Sequence, residues 1–401
     1  MAEIKISEIS RVYGHASLSI WLKDKTAESV NIRLTQPRRN FQNLALGRRY
    51  EEVPYLMSRI CGSCSFSHHL ASTMAIERAL GCEEKSNPAR ELSIIAEIIH
   101  NHAFHLYWQV IPDYTGHSSL LELLPKNQKL VQGAILLRQT AKRIKTIIAG
   151  RPMHPLGHGI GTSVQISTKE LALVKQAILD AIEPAKQTAE YIASLETEFF
   201  ARKAEYMCVA GADYPCMTGN LISTSGMDIP QEGCLGAAEY KTLMQQKPPV
   251  VGALARMNNR HVALSPLARK AVKASRVIFP NYNPLMNNFA QSVEVIHLLE
   301  TGLKALERIE KTDDSQPRKT EGVGTAAVES SKGTIVHHYV IKDGIVKDAK
   351  VITSDEHNIR NFEQDALKLA PRFLKSRREE IVLELGKLLR AYDLCFNCAS
   401  H

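Results

Sequence analysis

Hydrophobic and polar residues alternate at every second position near both ends of the chain, and this pattern predicts β-strands there. Residues 16–22 (ASLSIWL) and residues 29–34 (SVNIRL) carry apolar side chains on one face only, as half-buried strands do. Residues 333–352 show strand-like segments on both sides of the turn sequence KDGIV. We therefore expect small β-sheets that are contributed by both chain ends.

Between these ends, apolar residues recur every three or four positions, which predicts helices. Ser167 and Glu170 form a capping-box pattern, which predicts the start of one long helix. Pro112 and Asp113 predict a turn at which another helix ends. The expected helices cover residues 68–80, 89–110, 167–203, 285–310 and 376–392.

The irregular parts of the chain separate these elements without creating repeats. Residues 150–167 are rich in Gly and Pro and predict loops with one short strand, and residues 205–260 predict irregular structure. Residues 311–322 (KTDDSQPRKTEG) are the most linker-like stretch. The expected fold class is α+β and helix-dominated: a central helical bundle with small peripheral sheets, in a single domain over residues 1–401.

Composition narrows the function classes. The hydrophobic fraction of 44% and the charged fraction of 23% are those of a soluble globular protein. The net charge of +8 is scattered, with no dense basic stretch beyond KSRREE and no interleaved aromatic residues, so we expect no nucleic-acid partner. No apolar run is long enough to span a membrane, and the polar N-terminus lacks the apolar core of a signal peptide.

Cysteine spacing supplies the candidate chemistry. Two Cys-x-x-Cys pairs lie near opposite ends of the chain, Cys61 with Cys64 and Cys395 with Cys398. Either pair alone suits a redox disulfide or half of a zinc site, whereas together they supply four thiolates for zinc, an iron–sulfur cluster or nickel. A structural zinc site usually has its two pairs close in sequence. The other four cysteines lack cluster-like spacing, and we expect them to be small buried apolar residues: Cys82, Cys208, Cys216 and Cys234.

The sequences around the two pairs, RICGSCSFSH and DLCFNCASH, resemble the paired signatures of the large, catalytic subunit of nickel–iron hydrogenases. The resemblance extends along nearly the whole chain. RVYGHASLSI is similar to the family's N-terminal Arg-Ile-Glu-Gly-His element, and HNHAFHLYWQVIPDYTG is similar to its histidine-rich helix. The Pro-Asp ending of that helix looks most like the cytoplasmic, multimeric hydrogenases linked to F420, NAD(P) or heterodisulfide reductase.

The resemblance implies reversible heterolytic cleavage of H2 into hydride and proton at a nickel–iron centre. It assigns Cys61 and Cys395 as terminal nickel ligands and Cys64 and Cys398 as bridges between nickel and iron. The iron would carry carbon monoxide and cyanide ligands. Electrons would leave through an iron–sulfur small subunit to further electron-transfer subunits. We expect a cytoplasmic complex, with membrane association only through partner subunits.

The resemblance also assigns residues around the centre. His68 would donate to a cysteine sulfur, Arg59 would hold the loop or balance negative charge, and Asn101 would lie in the same surroundings; loop-fixing hydrogen bonds without catalytic effect are the alternative. A separate structural Mg2+ or Fe2+ near the C-terminus would be bound by three residues: Gln42, Val351 and His401.

Four positions depart from the family pattern. Tyr13 replaces a glutamate that relays protons, so either the phenol with water substitutes or protons leave by another route. Gln42 replaces an acidic metal ligand, and its amide oxygen still suits a hard cation. Lys332 replaces an arginine over the open face of the metals, and is either a functional charge or a surface lysine. Asp355 replaces a hydroxyl that donates to cyanide, so it must be protonated, turned away or differently aligned.

Two other functions are compatible with parts of the sequence. A hydrogenase-derived scaffold subunit with little or no H2 turnover would explain the altered surroundings, but the four retained cysteines favour the enzyme. A zinc-binding structural protein would leave the resemblance along the intervening chain unexplained. Because Tyr13 and Lys332 occupy positions that act on protons or charge in the family, they are candidate catalytic residues together with the four cysteines.

Overall fold

The computed structural model of the protein describes residues 2–23, 26–37, 39–83, 87–117, 119–125, 127–162, 164–211, 214, 217–309, 314–373 and 376–398. Within these residues, nine strands form three separate three-stranded antiparallel sheets. Thirteen α-helices surround and separate the sheets. The expected helix-dominated α+β class is confirmed.

The N-terminal sheet contains β1 (Ala2–Ile6), β2 (Ala16–Lys23) and β3 (Thr26–Leu34), in that order. Leu18 pairs with Ile32, and the buried Ile20 pairs with the buried Val30. This alternation is the one that the sequence shows, and the strands predicted over residues 16–34 are confirmed.

The middle sheet contains β4 (Met207–Ala210), β5 (Asn220–Ser223) and β6 (Asp228–Pro230). The prediction of irregular structure over residues 205–260 is therefore wrong. Each strand has only three or four residues, which is too short for a period of two to be recognised. Backbone pairing with Val250 and a hydrogen bond from Val209 N to Glu329 stabilise this sheet from outside it.

The C-terminal sheet contains β7 (Gly322–Ser330), β8 (Gly333–Lys342) and β9 (Ile345–Ile352). The predicted strands over residues 333–352 are confirmed, and β7 is an addition. A Cβ atom on Gly324 would lie 2.0 Å from the carbonyl oxygen of Ala75, so only glycine permits this close packing against a neighbouring helix. Apolar alternation is weak in β7 because residues 324–330 are all buried, so that neither face of the strand is polar.

The helices are α1 (Gln42–Ala45), α2 (Val53–Met57), α3 (Ser65–Ala79), α4 (Pro88–Phe104), α5 (Ile111–Thr115), α6 (Gln128–Ala149), α7 (Thr168–Ser194), α8 (Ala238–Gln246), α9 (Ala253–Arg260), α10 (Pro266–Ser275), α11 (Asn287–Glu307), α12 (Ser354–Leu369) and α13 (Arg378–Ala391). The predicted central bundle consists of α4, α6, α7 and α11, which pack against one another. Helix α3 lies between α4 and the C-terminal sheet. Among the described residues, no helix combines the length and the apolarity that crossing a bilayer requires.

Two predicted helix ends are wrong. The first of these helices does not stop at Pro112, because a π-helical turn over His105–Val110 connects α4 with α5. Pro112 lies in the first turn of α5, where its missing N–H costs no hydrogen bond. Helix α7 has the predicted Ser167–Glu170 capping box but ends at Ser194, where Leu195 becomes extended. No strand lies among the described residues between 150 and 167.

The linker-like stretch lies only partly within the described residues, because residues 310–313 fall outside them. The described part contacts the rest of the protein. Ser315 N donates to the carbonyl oxygen of Gly161 at 2.8 Å, and Arg318 N donates to the carbonyl oxygen of Leu80 at 3.0 Å.

A buried arginine fixes the turn between β7 and β8. Arg256 on α9 forms ion pairs with Glu294 on α11 and Glu329 on β7, each at 2.7 Å, and donates to the carbonyl oxygen of Ser330 at 3.0 Å. All of these groups are fully buried, so the charges compensate one another without water. The turn that follows, which carries Lys332, is therefore held rigidly.

Candidate metal centre

The two cysteine pairs meet in the interior of the protein. Cys61 Sγ lies 3.3 Å from Cys395 Sγ, and Cys64 Sγ lies 3.1 Å from Cys398 Sγ. All four side chains are buried, and the distances are too long for disulfides, whose sulfurs are about 2.05 Å apart. The thiols of Cys61, Cys395 and Cys398 lie within 4.8 Å of one another, which suits ligands of a shared metal.

The first cysteine loop (residues 61–64) connects α2 with α3, and Cys64 is the N-cap residue of α3. Two side chains from α4 fix this loop. Asn101 Nδ2 donates to the carbonyl oxygen of Ser63 at 2.5 Å, and Glu97 accepts from Phe66 N at 2.7 Å. Because Glu97 and Asn101 are one helical turn apart, they lie on the same face of α4 and together fix the loop and the start of α3.

Glu97 is a buried acid with an altered pKa. Its carboxylate also accepts from the backbone N–H of Ser67 at 3.1 Å and from the Ser67 hydroxyl at 2.5 Å. Burial raises the pKa of Glu97 to about 7, although these hydrogen bonds and the charge of Lys145 oppose the shift. Burial also lowers the pKa of Lys145 to about 8. The first cysteine loop therefore rests on a buried acid–base pair.

The second cysteine loop (residues 395–398) follows α13, and Asp393, between the helix and the loop, has a left-handed φ of 51°. Residues from the N-terminal region hold this loop. Tyr13 forms a parallel backbone bridge with Cys395, and Gln36 Nε2 donates to the carbonyl oxygen of Phe396 at 2.5 Å. Arg39 donates to the carbonyl oxygen of Asn397. The predicted burial of this region is confirmed for Cys395, Phe396 and Cys398, whereas Asn397 is half-buried and His401 lies outside the described residues.

Asp355 lies directly against the second loop. Its Oδ1 accepts from Cys395 N at 2.8 Å, while its Oδ2 is buried and has no partner among the described residues. Burial raises the pKa of Asp355 to about 8, and the negative charge of Cys61 adds to the shift. A protonated Asp355 retains an O–H group that can donate a hydrogen bond.

Lys332 is buried and paired, so the surface-lysine alternative is wrong. Its Nζ donates to Asp393 Oδ1 and lies 4.6 Å from the centre of the Tyr13 ring. Burial lowers its pKa, but the charges of Asp393 and Cys395 outweigh this and raise the pKa above its ordinary value. Gln291 Nε2 donates to the second oxygen of Asp393 at 2.9 Å, and His105 contacts Gln291 at 2.6 Å. Lys332 therefore remains a fixed positive charge beside the sulfurs.

Tyr13 presents its ring rather than a readily released proton. The ring packs 5.7 Å from that of Phe104 and lies beneath the Lys332 ammonium. Burial, with the charges of Asp393 and Cys395, raises the pKa of Tyr13 well above its ordinary value. A phenol in this state holds its proton at neutral pH.

His68 lies beside two of the four sulfurs. One of its ring nitrogens lies within 4.8 Å of the sulfurs of Cys64 and Cys398. Its Nδ1 contacts His337 Nε2 at 3.0 Å, and its Nε2 has no partner among the described residues. Burial lowers the pKa of His68 to about 4, so the ring is neutral at pH 7 and carries a single N–H.

The remaining predicted residues are less closely placed. Arg59 has an exposed side chain. Helix α1, which begins at Gln42, packs against β9, which contains Val351. The structure thus brings two of the three predicted ligands of the second metal onto neighbouring elements, and the third is His401. Of the other cysteines, Cys208 and Cys234 are buried as expected, Cys82 is half-buried, and Cys216 lies outside the described residues.

The chemistry of the four thiols fits a metal. Hydrogen bonds from Cys395, Cys398 and Cys64 hold the pKa of Cys61 well below its ordinary value. Hydrogen bonding to Cys395 and Cys61, with burial, raises the pKa of Cys398. The four buried thiols thus have opposed pKa shifts, and a divalent cation would stabilise all of them as thiolates.

Sequence reasoning missed several residues that shape this site. Asp393 lies in the quoted DLCFNC motif, two residues before Cys395, so its position was a usable signal. Ser63 lies within the first pair itself, and its hydroxyl contacts Cys61 Sγ at 3.0 Å. Glu97 and Gln291 lie on α4 and α11 with no motif around them, and only the folded structure brings them here.

Comparisons with known proteins agree with this geometry. The family model described as nickel-dependent hydrogenase matches residues 39–143. The alpha subunit of sulfhydrogenase 2 from Pyrococcus furiosus is 28% identical over 99% of this chain and 98% of its own length. A subunit of the F420-non-reducing hydrogenase from Methanothermobacter thermautotrophicus is 26% identical, over 100% of this chain and 95% of its own length.

Solved structures extend the similarity to the fold. An NAD+-reducing nickel–iron hydrogenase in the H2-reduced state superposes with a TM-score of 0.86 at 22% identity, over 100% of both chains. The nickel–iron–selenium hydrogenase from D. vulgaris Hildenborough superposes with a TM-score of 0.74 at 17% identity, again over 100% of both chains. The relatives show similarity to hydrogenase subunits along the whole chain, and the superpositions show that the structure has the fold of the nickel–iron hydrogenase large subunit.

Proposed function

We propose that this chain is the catalytic large subunit of a nickel–iron hydrogenase, which cleaves and forms H2 reversibly. The observation that carries the proposal is the meeting of four buried thiols from opposite ends of the chain, with sulfur–sulfur distances of 3.1 and 3.3 Å. Full-length similarity to subunits of known hydrogenases supports it. The scaffold alternative has less support, since all four sulfurs are present and correctly grouped.

Cys61 and Cys395 would hold nickel as terminal ligands, and Cys64 and Cys398 would bridge it to iron. The metal pair, with carbon monoxide and cyanide on iron, would supply a site at which H2 is polarised and its electrons are accepted. The residues themselves exclude water, because every one of the four cysteines is at most 4% exposed. Thiolates desolvated in this way are strong ligands and are also proton acceptors.

The surrounding side chains would hold charge and hydrogen bonds at fixed places. Lys332, anchored by Asp393, keeps a cation beside the sulfurs. Asp355 in its protonated form would donate from Oδ2 to an anionic ligand of iron, and His68 would donate from Nε2 to a sulfur of the bridging pair. Lys332 and Asp355 would therefore conserve the kinds of contact that the family uses while changing the groups that supply them, whereas Tyr13 would not.

A second cation, Mg2+ or Fe2+, would be bound by Gln42, the backbone of Val351 and His401. The neutral amide of Gln42 adds an oxygen ligand without charge. The packing of α1 against β9 supports the pairing of Gln42 with Val351.

Electrons would leave through an iron–sulfur small subunit. Outside the two loops, the cysteines that the structure describes show no grouping that could bind a cluster in this chain. The relatives are named as individual subunits of larger hydrogenases, which supports a multi-subunit complex. Further electron-transfer subunits would lie downstream, with a nicotinamide, a deazaflavin, a flavin, a ferredoxin or a disulfide as the final acceptor. The complex would be cytoplasmic and would contact membranes only through partner subunits.

The test is metal analysis of the purified complex with infrared spectroscopy of the carbonyl and cyanide region. We expect nickel and iron together with both kinds of band, and H2-dependent reduction of a redox dye. Zinc alone, without bands and without dye reduction, would overturn the proposal. Nickel and bands without any H2-dependent reduction would favour the scaffold function.

A further inference from the structure

One hydroxyl group lies among the sulfurs. Ser63 is the third residue of the first cysteine loop, and its Oγ lies 3.0 Å from Cys61 Sγ and 3.8 Å from Cys395 Sγ. These are the two sulfurs that the proposed function assigns as terminal nickel ligands. No other hydroxyl oxygen in the described part of the chain forms a hydrogen bond with any of the four sulfurs.

The direction of this hydrogen bond follows from the chemistry of its partners. A sulfur bound to a metal has lost its proton, so it can only accept a hydrogen bond. The serine hydroxyl has one hydrogen, and the shorter distance directs it to Cys61. The contact with Cys395 is longer by 0.8 Å and is secondary.

A hydrogen bond to the backbone of Ser63 fixes the position of the residue that carries this hydroxyl. Asn101 Nδ2 donates to the carbonyl oxygen of Ser63 at 2.5 Å and to the backbone carbonyl oxygen of Glu97 at 3.0 Å. Asn101 is 1% exposed, so its amide is buried between these two acceptors. The amide thereby holds the loop at the one residue whose hydroxyl faces Cys61.

We propose that Ser63 is a positioning residue that donates a hydrogen bond to the sulfur of Cys61, and that Asn101 sets the orientation of this donor. The inference rests on the proposed function, because it assigns the sulfur to a metal. A hydrogen bond to a ligating sulfur withdraws electron density from it and stabilises the reduced form of the metal. Ser63 therefore raises the reduction potential of the centre.

The experiment compares three substitutions in the complete, metal-loaded complex: Ser63→Thr, Ser63→Val and Ser63→Ala. Thr and Val have the same shape and differ in the hydroxyl, so the pair separates the hydrogen bond from the volume of the side chain. We expect Val and Ala to shift the carbonyl band to lower wavenumber and the nickel couple to lower potential. Thr should stay close to the parent in both measurements.

A second measurement covers variants that fail to bind nickel. Nickel content is measured in the Thr and Val variants, whose side chains have equal volume and differ in the hydroxyl. Loss of nickel from the Val variant alone would support the hydrogen bond to Cys61, and loss from both variants would overturn it.

The outcomes are distinguishable from failure of the proposed function. If the parent complex lacks nickel and the carbonyl and cyanide bands, the proposed function fails. If the parent has them while Thr and Val give the same band positions and potentials, the Ser63 inference is overturned and the hydrogenase remains. For Asn101, we expect Asn101→Leu to shift the bands in the same direction as Ser63→Val, and unshifted bands would overturn its orienting role.

Discussion

The two cysteine loops supply two sulfurs each, but the chain holds them in different ways. The first loop lies between adjacent helices, and its anchors come from α4, where Glu97 lies 31 positions after its partner Phe66. The anchors of the second loop come from Asp355, 40 residues away, and from Gln36, 360 residues from its partner Phe396. One half of the site is therefore built by neighbouring elements and the other by closure of the whole fold.

This difference has a physical consequence. Contacts between neighbouring helices cost little loop-closure entropy, whereas contacts between chain ends require the intervening fold to be in place. The anchors differ in kind as well: a buried acid and an amide fix the first loop, whereas the second has a backbone bridge and a buried ion pair next to it. We infer that the first loop is preformed and that the second completes the site when the chain ends meet.

Removing one sulfur from each loop tests whether the two halves form one site, and we expect it to have the largest effect. Cys64 and Cys398 are the matched pair, with their sulfurs 3.1 Å apart. Both Cys64→Ser and Cys398→Ser should lose nickel and more than about a hundredfold of H2-dependent dye reduction, since ligand loss exceeds the 10–100-fold effect of outer contacts. Metal analysis and the dye assay measure this. Normal nickel content in one of the two variants would contradict a single shared site.

Lys332 tests the ion pair beside the second loop. Lys332→Met leaves Asp393 as a buried charge without its cation, which should destabilise the metal-free chain by about 3–5 kcal/mol. Urea unfolding measures the loss. The control is Lys332→Met combined with Asp393→Asn, because asparagine tolerates the left-handed backbone at this position and carries no charge. The double variant should recover part of the stability, and a single variant as stable as the parent would show that the pair contributes nothing.

Glu97 tests the anchor of the first loop through its pH dependence. Burial raises the pKa of its carboxyl to about 7 in the folded chain, above the ordinary value of 4.5. Between these values the folded chain holds a proton that the unfolded chain releases, so this part of the stability is complete at low pH and is lost as the pH rises through 7. The loss is at most about 1.4 kcal/mol per pH unit.

Glu97→Gln removes the titrating group and keeps an acceptor for Phe66 N. The variant should therefore lose less stability than the parent between pH 5 and pH 7, a difference of at most about 3 kcal/mol. Urea midpoints of the metal-free chain at pH 5, 6 and 7 give the two slopes. Parallel slopes would show that Glu97 is already ionised in the folded chain. The range stops at pH 7 because Lys145, with a pKa of about 8, titrates in the opposite sense above it.

The sequence predicts the helices and strands correctly where a pattern of apolar residues or a capping motif extends over enough residues. The strands over residues 16–34 and 333–352 and the helix at Ser167 are confirmed because apolar alternation or capping extends over many residues. The sheet of β4, β5 and β6 was missed because its strands are only three or four residues long. The continuation of α4 past Pro112 was missed because a π-helical turn has no sequence signal of its own.

The sequence predicts the metal-binding cysteines of the site but not all of the residues around them. All four cysteines follow from local motifs, and their meeting follows from resemblance. The residues that complete their surroundings come from distant positions: Gln291 orients Asp393 from α11, and Glu97 supports the first loop from α4. No spacing rule connects such residues to the cysteines, because helix packing alone brings them together.

Tyr13 could act beside the second loop as a proton relay or as a supporting ring. Of the substitutions considered, we expect those at Tyr13 to have the smallest effect. The pKa of its phenol lies well above the ordinary value of about 10, so the group holds its proton and is a poor relay at pH 7. Tyr13→Phe should change hydrogen–deuterium exchange from H2 by less than about twofold, because the ring that supports Lys332 remains. Tyr13→Leu removes that ring and should cost about 0.5–2 kcal/mol of stability. If Tyr13→Phe instead slowed exchange by orders of magnitude without loss of stability, the phenol would be the proton relay. Tyr13 would then contribute a chemical step as well as the position of the second loop.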